Sequence, residues 1–130
     1  MEHTPVEKHE WVDAPAEHFT GDVKMAAMCD ADEPGVKVLG VHFEPGARTN
    51  WHSHPTGQVL YVVGGEGLVQ AADGHTVEIA AGDVIHSPSG ELHWHGARAD
   101  DPMMHLSLTT GGDTVWEPRP VTEEEYNRRS

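Results

Sequence analysis

The segment Gly46-Ala47-Arg48-Thr49-Asn50-Trp51-His52-Ser53-His54-Pro55-Thr56-Gly57-Gln58 sets two histidines two residues apart, then a tight turn, then a glutamine. In an extended strand the side chains at i and i+2 point to one face, so His52 and His54 project in the same direction. The Pro55-Thr56-Gly57 turn brings the chain back, close enough for Gln58 to return its amide oxygen toward the same point. A second pair with the same spacing, His93 and His95, lies downstream. Histidine is abundant, with 11 copies in 130 residues, and these two pairs suit a shared metal ion.

Around both pairs the chain reads as short strands. Val36 to Phe43 is apolar and β-branched and ends at Pro45 and Gly46; Gln58 to Val63, Gly67 to Ala71 and His75 to Ile79 follow, with Ala72-Asp73-Gly74 as a hairpin turn. Val84 to His86, Leu92 to His95 and Met103 to Thr109 complete the set. Fourteen Gly and nine Pro punctuate the sequence, and no stretch sustains a helical apolar spacing. The expectation is an all-β sandwich or barrel.

Residues 1–35 are polar and broken by Pro5, Pro15 and Pro34, which predicts an arm with one or two short strands laid over a barrel of residues 36–117. His3, His9 and His18 read as surface residues of that arm. In the tail, 118–130, Thr122 stands as an N-cap with Glu125 three residues on. Acidic residues then precede Arg128 and Arg129, an order that predicts a short terminal helix.

One domain accounts for the whole length. Acidic residues outnumber basic ones 22 to 8, and the net charge of −14 repels phosphate backbones and anionic membranes, so no nucleic-acid or membrane partner is expected. Cys29 is the single cysteine, which excludes an internal disulfide. The N-terminus lacks a basic segment followed by an apolar run, and the expected compartment is the cytoplasm.

The spacing Gly46, His52-Ser53-His54, Gln58, Gly65 resembles the first motif of the cupin superfamily, and Gly82 through Pro88, Gly90 and His93 resembles the second. The resemblance implies a double-stranded β-barrel, or jelly roll, with one divalent metal ion per chain held by His52, His54, Gln58 and His93. Gln58 stands where an acidic ligand is usual, and Ala97 where an Asn often ends the second motif. Three imidazoles and an amide are all neutral, so a bound cation keeps its full charge and acts as a stronger Lewis acid.

Phe43 to Thr49, Trp51 to Pro55, Gly57-Gln58 and His93 to Ala97 resemble, more narrowly, the small bacterial cupins that include manganese-dependent hydroxynitrile lyases, loosely described as carboxymuconolactone-decarboxylase-like. This likeness implies substrate-side roles for His95 and His105. It also implies manganese or iron as the metal, while imidazole and amide donors accept nickel, cobalt, copper or zinc as well. His86 departs from that group's pattern, in which an aromatic residue is more usual.

Trp51 and Trp94 alternate with the histidines, so they are expected to face away from the metal and pack behind it or against a partner chain. Met103 and Met104 straddle the two faces of their strand, with core filling or pocket lining both open. Arg48 fits either a loop contact or an acidic substrate, His42 and His86 fit either packing or the site, and His75 follows a turn toward solvent. The leading expectation is a lyase acting on a small-molecule substrate such as a cyanohydrin, with His105 moving a proton and His95 assisting. Alternatives are a metal-dependent dioxygenase, an isomerase or decarboxylase of a sugar acid or lactone, and a non-catalytic binder. A homodimer or homotetramer is the expected assembly.

Overall fold

The computed structural model describes residues 1–127; Arg128 and Arg129, which the sequence reading placed at the end of the terminal helix, lie outside the described residues. After a single 3-10 turn at Val6–Lys8, the elements in chain order are β1 (Val12–Asp13), β2 (Phe19–Thr20), β3 (Val23–Ala31), β4 (Val36–Phe43), β5 (Arg48–Thr49), β6 (His52–Ser53) and β7 (Gln58–Ala71). They continue with β8 (Thr76–Ala80), β9 (Val84–Ser87), β10 (His93–Ala97), β11 (Met103–Thr109), β12 (Val115–Trp116) and the helix α1 (Glu123–Asn127). The main path through the sheet runs β1-β3-β4-β11-β7-β10-β5-β2, with β8 and β9 on β7, and β6 on β10 and β12. No helix among the described residues is long and apolar enough to cross a membrane.

The long strand β7 makes the curl. Where the sequence predicts two strands, Gln58 to Val63 and Gly67 to Ala71, the chain keeps one 14-residue strand. Its first half pairs with β11 and β9, and its second half with β10 and β8, so β7 belongs to both faces of the barrel. The bend falls at Gly64-Gly65. Gly65 sits at φ +75°, and a Cβ there would strike the Pro102 carbonyl, so only glycine allows this close approach.

The amino-terminal arm differs from expectation. Residues 23–31 form a full nine-residue strand, paired with β4 from Val23↔Phe43 to Ala31↔Val36, and thus part of the barrel wall. Alanines, Lys24 and Asp30 dilute the apolar alternation of this strand, which hid it from a propensity reading. β4 and β11 have the predicted bounds.

Two apolar clusters hold the fold. Val23, Val41, Phe43, Leu60, Val62 and Met103 fill one end of the barrel interior. Trp51, Leu68, Trp94, Val121 and Tyr126 form a second cluster, so both tryptophans pack away from the histidines, as their alternation predicts. Met103 is core, and Met104 lies half-buried; neither lines the pocket described below.

Arg48 is buried and does not line the cavity described below. Its Nε and Nη2 donate to the Val121 carbonyl at 3.0 and 2.8 Å, Nη1 donates to Gly46 O at 3.1 Å, and the guanidinium lies 4.6 Å from the Tyr126 ring centre. Tyr126 in turn donates to Ala97 O at 2.6 Å. Thr122 and Glu125 make the predicted capping box: Glu125 N–H donates to Thr122 Oγ1, and Thr122 N–H donates to Glu125 Oε1, both at 3.1 Å.

Arg48→Ala leaves the Val121 carbonyl unsatisfied and opens a void under Tyr126. An expected loss of about 2–4 kcal/mol, against about 1 kcal/mol for Tyr126→Phe, is measurable by urea unfolding.

A candidate metal centre

Antiparallel pairing puts the ligand candidates face to face. His93 on β10 is the direct cross-strand partner of His52 on β6, and their ring centres lie 4.5 Å apart. His54 follows one residue after β6, with its ring centre 5.1 Å from that of His52 and 5.6 Å from that of His93. Gln58, the first residue of β7, sets Oε1 3.3 Å from His93 Nε2. The four residues that the motif resemblance singles out therefore meet in one place, and all are buried. Among the described residues His52, His93 and His95 have candidate donor atoms within 4.8 Å of one another. These three histidines are close enough to hold a metal ion.

Backbone carbonyls set the ring tautomers. His52 Nδ1 lies 2.9 Å from Asn50 O, and His93 Nδ1 lies 2.9 Å from Glu91 O. A carbonyl can only accept, so each Nδ1 carries the proton and each Nε2 presents a lone pair. Gln58 donates its NH2 to Ser107 Oγ at 2.7 Å, which turns its oxygen toward His93. Two acceptors, Gln58 Oε1 and His93 Nε2, thus face each other without a proton between them. His54 Nε2 and His95 Nε2 are buried with no hydrogen-bond partner. Converging lone pairs on uncharged, buried donors are the chemistry of a cation site, and a divalent cation fits this donor set.

Burial governs the protonation of the group. It is the largest cause of the lowered pKa of His52, His93 and His95, and it brings His54 to about 4 and His105 to about 3. Neighbouring imidazoles push His52, His54 and His95 further in the same direction. All five rings are neutral at neutral pH, the state in which imidazole ligates metal or accepts a proton.

His105, from β11, places Nε2 3.1 Å from His95 Nδ1. Two neutral imidazoles joined in this way share one proton between them. The outer nitrogens, His95 Nε2 and His105 Nδ1, then divide one remaining proton, so one end bears N–H and the other a lone pair. Both outer nitrogens are buried; His95 Nε2 has no hydrogen-bond partner, and the His105 ring lies against the backbone of His105 and Leu106. The pair borders a cavity of about 280 Å³ that also touches His52, His54 and Gln58. Phe19, Met25, Leu39, Val41 and Trp116 give it apolar walls.

Several contributors were not singled out from the sequence. Asn50 ties both ends of the chain to the site, because its Nδ2 donates to Glu17 O at 3.0 Å and Glu117 O at 3.4 Å while its own carbonyl holds His52. His18, expected as a plain surface residue, stacks on Trp116 at 4.3 Å, and Trp116 lies 4.6 Å from His52. Ser107 was legible in principle, being two residues beyond His105 on the same face of β11. Nothing in the local pattern marks Asn50 or Trp116. His42 lies on the outside, 3.8 Å from Glu44, and His75 and His86 are exposed, so none of the three joins the centre.

Residues 40–109 match the family model described as Cupin domain. Over 117 residues, covering 88% of this chain and 89% of the relative, the sequence is 44% identical to an (R)-mandelonitrile lyase of Granulicella tundricola. A cupin-like protein of Thermotoga maritima, 38% identical, superposes with a TM-score of 0.84 over 91% of this chain and 92% of its own. A gentisate 1,2-dioxygenase of a Ralstonia species is 33% identical over 49% of this chain, which spans 18% of that relative.

The buried histidines also fix how acid acts on the metal-free protein. Their folded pKa lies below the ordinary 6.5, so the unfolded chain binds more protons at mildly acidic pH. The stability they confer is complete above about pH 7 and is lost as pH falls from 6.5 toward about 3 for His105. Thermal melts of metal-free protein should therefore drop steadily below about pH 6.5, each such histidine costing about 1.4 kcal/mol per pH unit. His105→Asn should flatten that slope.

Proposed function

The chain belongs to the cupin family, and on that footing we propose that it is a metal-dependent lyase that splits a small cyanohydrin into an aldehyde and cyanide, or joins the two. The observation that carries this reading is the gathering of uncharged donors beside a neutral histidine pair in an apolar pocket. The mandelonitrile lyase relative supports the substrate class.

In this reading His52, His54, Gln58 and His93 hold the cation. His95 belongs to a close imidazole group as well, and in this reading its contact with His105 beside the pocket gives it the proton-moving role. Manganese or iron is the proposed metal. When bound, it supplies positive charge that stabilises the departing cyanide. The histidine pair handles the proton: its bare nitrogen takes the hydroxyl proton, the carbonyl double bond forms, and the C–C bonding electrons leave with cyanide. Cyanide then takes that proton back from the pair, so the pair ends with the proton count it began with. Phe19, Leu39 and Trp116 keep water from the aldehyde and suit an aryl group.

Self-association belongs to the same reading, as a homodimer or homotetramer. Tyr61 and Val84 are direct cross-strand partners on the outer face, and with Val63 they leave an apolar strip facing solvent. Light scattering of the purified protein measures that state.

Manganese-loaded protein should release benzaldehyde from mandelonitrile, followed by absorbance, and His105→Ala should lower kcat about 10²–10⁴-fold with manganese content unchanged. Release no faster than from metal-free protein removes the lyase reading. The partial match to a gentisate dioxygenase supports a second reading, oxygen chemistry at iron. An oxygen electrode separates the two, since turnover that persists unchanged without oxygen excludes the dioxygenase.

A further inference from the structure

We propose that Ser107 is a positioning residue that decides which end of the Gln58 amide meets the cation; the inference rests on the metal-centre reading above. A glutamine amide has two ends of nearly equal shape, an acceptor oxygen and a donor NH2, and only the oxygen can ligate. A half-turn about the last side-chain bond exchanges them. The immediate neighbour favours the wrong end. His93 Nε2 presents a lone pair 3.3 Å from the amide, because its Nδ1–H is committed to Glu91 O. Left to itself, Gln58 would turn its NH2 to that nitrogen, and one rotation would withdraw two donors from the cation at once.

Ser107 Oγ, at 2.7 Å, gives the NH2 its other partner. Gln58 and Ser107 are both buried, so water is a poor substitute for the hydroxyl. The hydroxyl is also held firmly. Ser107 sits in the middle of β11, paired with Leu60, two residues along β7 from Gln58. The need for this contact comes from the amide. A carboxylate at position 58 has two equivalent oxygens, and no rotation removes the ligand. Ser107 should therefore matter to metal binding while residue 58 is glutamine and lose that importance when it is glutamate.

The test is a cycle of four proteins, wild type, Ser107→Ala, Gln58→Glu and the double variant, with the manganese dissociation constant of each measured by calorimetry. Metal-free melting confirms the fold. Ser107→Ala should weaken manganese binding about 10–100-fold in the glutamine background and less than about threefold in the glutamate background. Ser107→Thr, which keeps the hydroxyl, should bind within about threefold of wild type, and Ser107→Val, its isostere without the hydroxyl, should behave like the alanine variant. Should the alanine variant fail to fold, the Thr and Val pair makes the same comparison. Equal weakening in both backgrounds, no weakening in either, or failure of Thr to restore binding overturns the proposal. Wild type that takes up no manganese would fell the metal-centre reading itself, and this inference with it; wild type that binds manganese without background dependence fells the role of Ser107 alone.

Discussion

Polar atoms that face each other with lone pairs and no proton between them are costly to bury, and the surroundings must hold them there. That constraint organises this molecule. Asn50 O and Glu91 O each take the ring proton of the histidine two residues later, and the same local geometry just ahead of two different strands leaves His52 Nε2 and His93 Nε2 bare. Cross-strand pairing then sets the two residues opposite each other, with their rings 4.5 Å apart. A chain that let either carbonyl drift would free the ring to flip and satisfy itself.

Rigidity comes from the other end of the barrel and from behind it. Phe43 lies 5.9 Å from the His95 ring and 5.4 Å from that of His105, so hydrocarbon packing fixes the position of this histidine pair. Gly96, between His95 and Ala97, has no room for a side chain because β5 crosses it at the Ala47 carbonyl and Arg48. That crossing brings Thr49 Oγ1 to the backbone N–H of His95 at 3.2 Å. The neutral donor set and the apolar walls act together, since low polarity keeps the rings unprotonated and free lone pairs keep the site receptive.

Much of this was legible in the sequence because period-two alternation is a strong local signal. β4 and β11 could be bounded from it, and the His52/His54 and His93/His95 spacings pointed to a common centre. Other features depend on contacts distant in sequence, which local patterns do not encode. Asn50 acts through Glu17 and Glu117, 33 and 67 residues away, and Arg48 through Val121, 73 residues away. β3 escaped notice because small and charged residues weaken its alternation, and the continuous β7 because paired glycines read as a break when they are a bend. His18 looked like a surface residue since nothing nearby in sequence announces the Trp116 ring on which it stacks.

The contacts of Val121 and Tyr126 with the barrel bear on modularity. The stretch that matches the family, residues 40–109, stops short of Val121 and Tyr126 and begins after β3. Excised at those limits, it would leave the Arg48 guanidinium without the Val121 carbonyl, uncover the indole of Trp94, cut β4 before Gly40 and strip β3 from what remains of it. The unit that evolution can transplant, or that an engineer can graft, is accordingly the barrel with both flanks, and the recognisable motif is its least self-sufficient part.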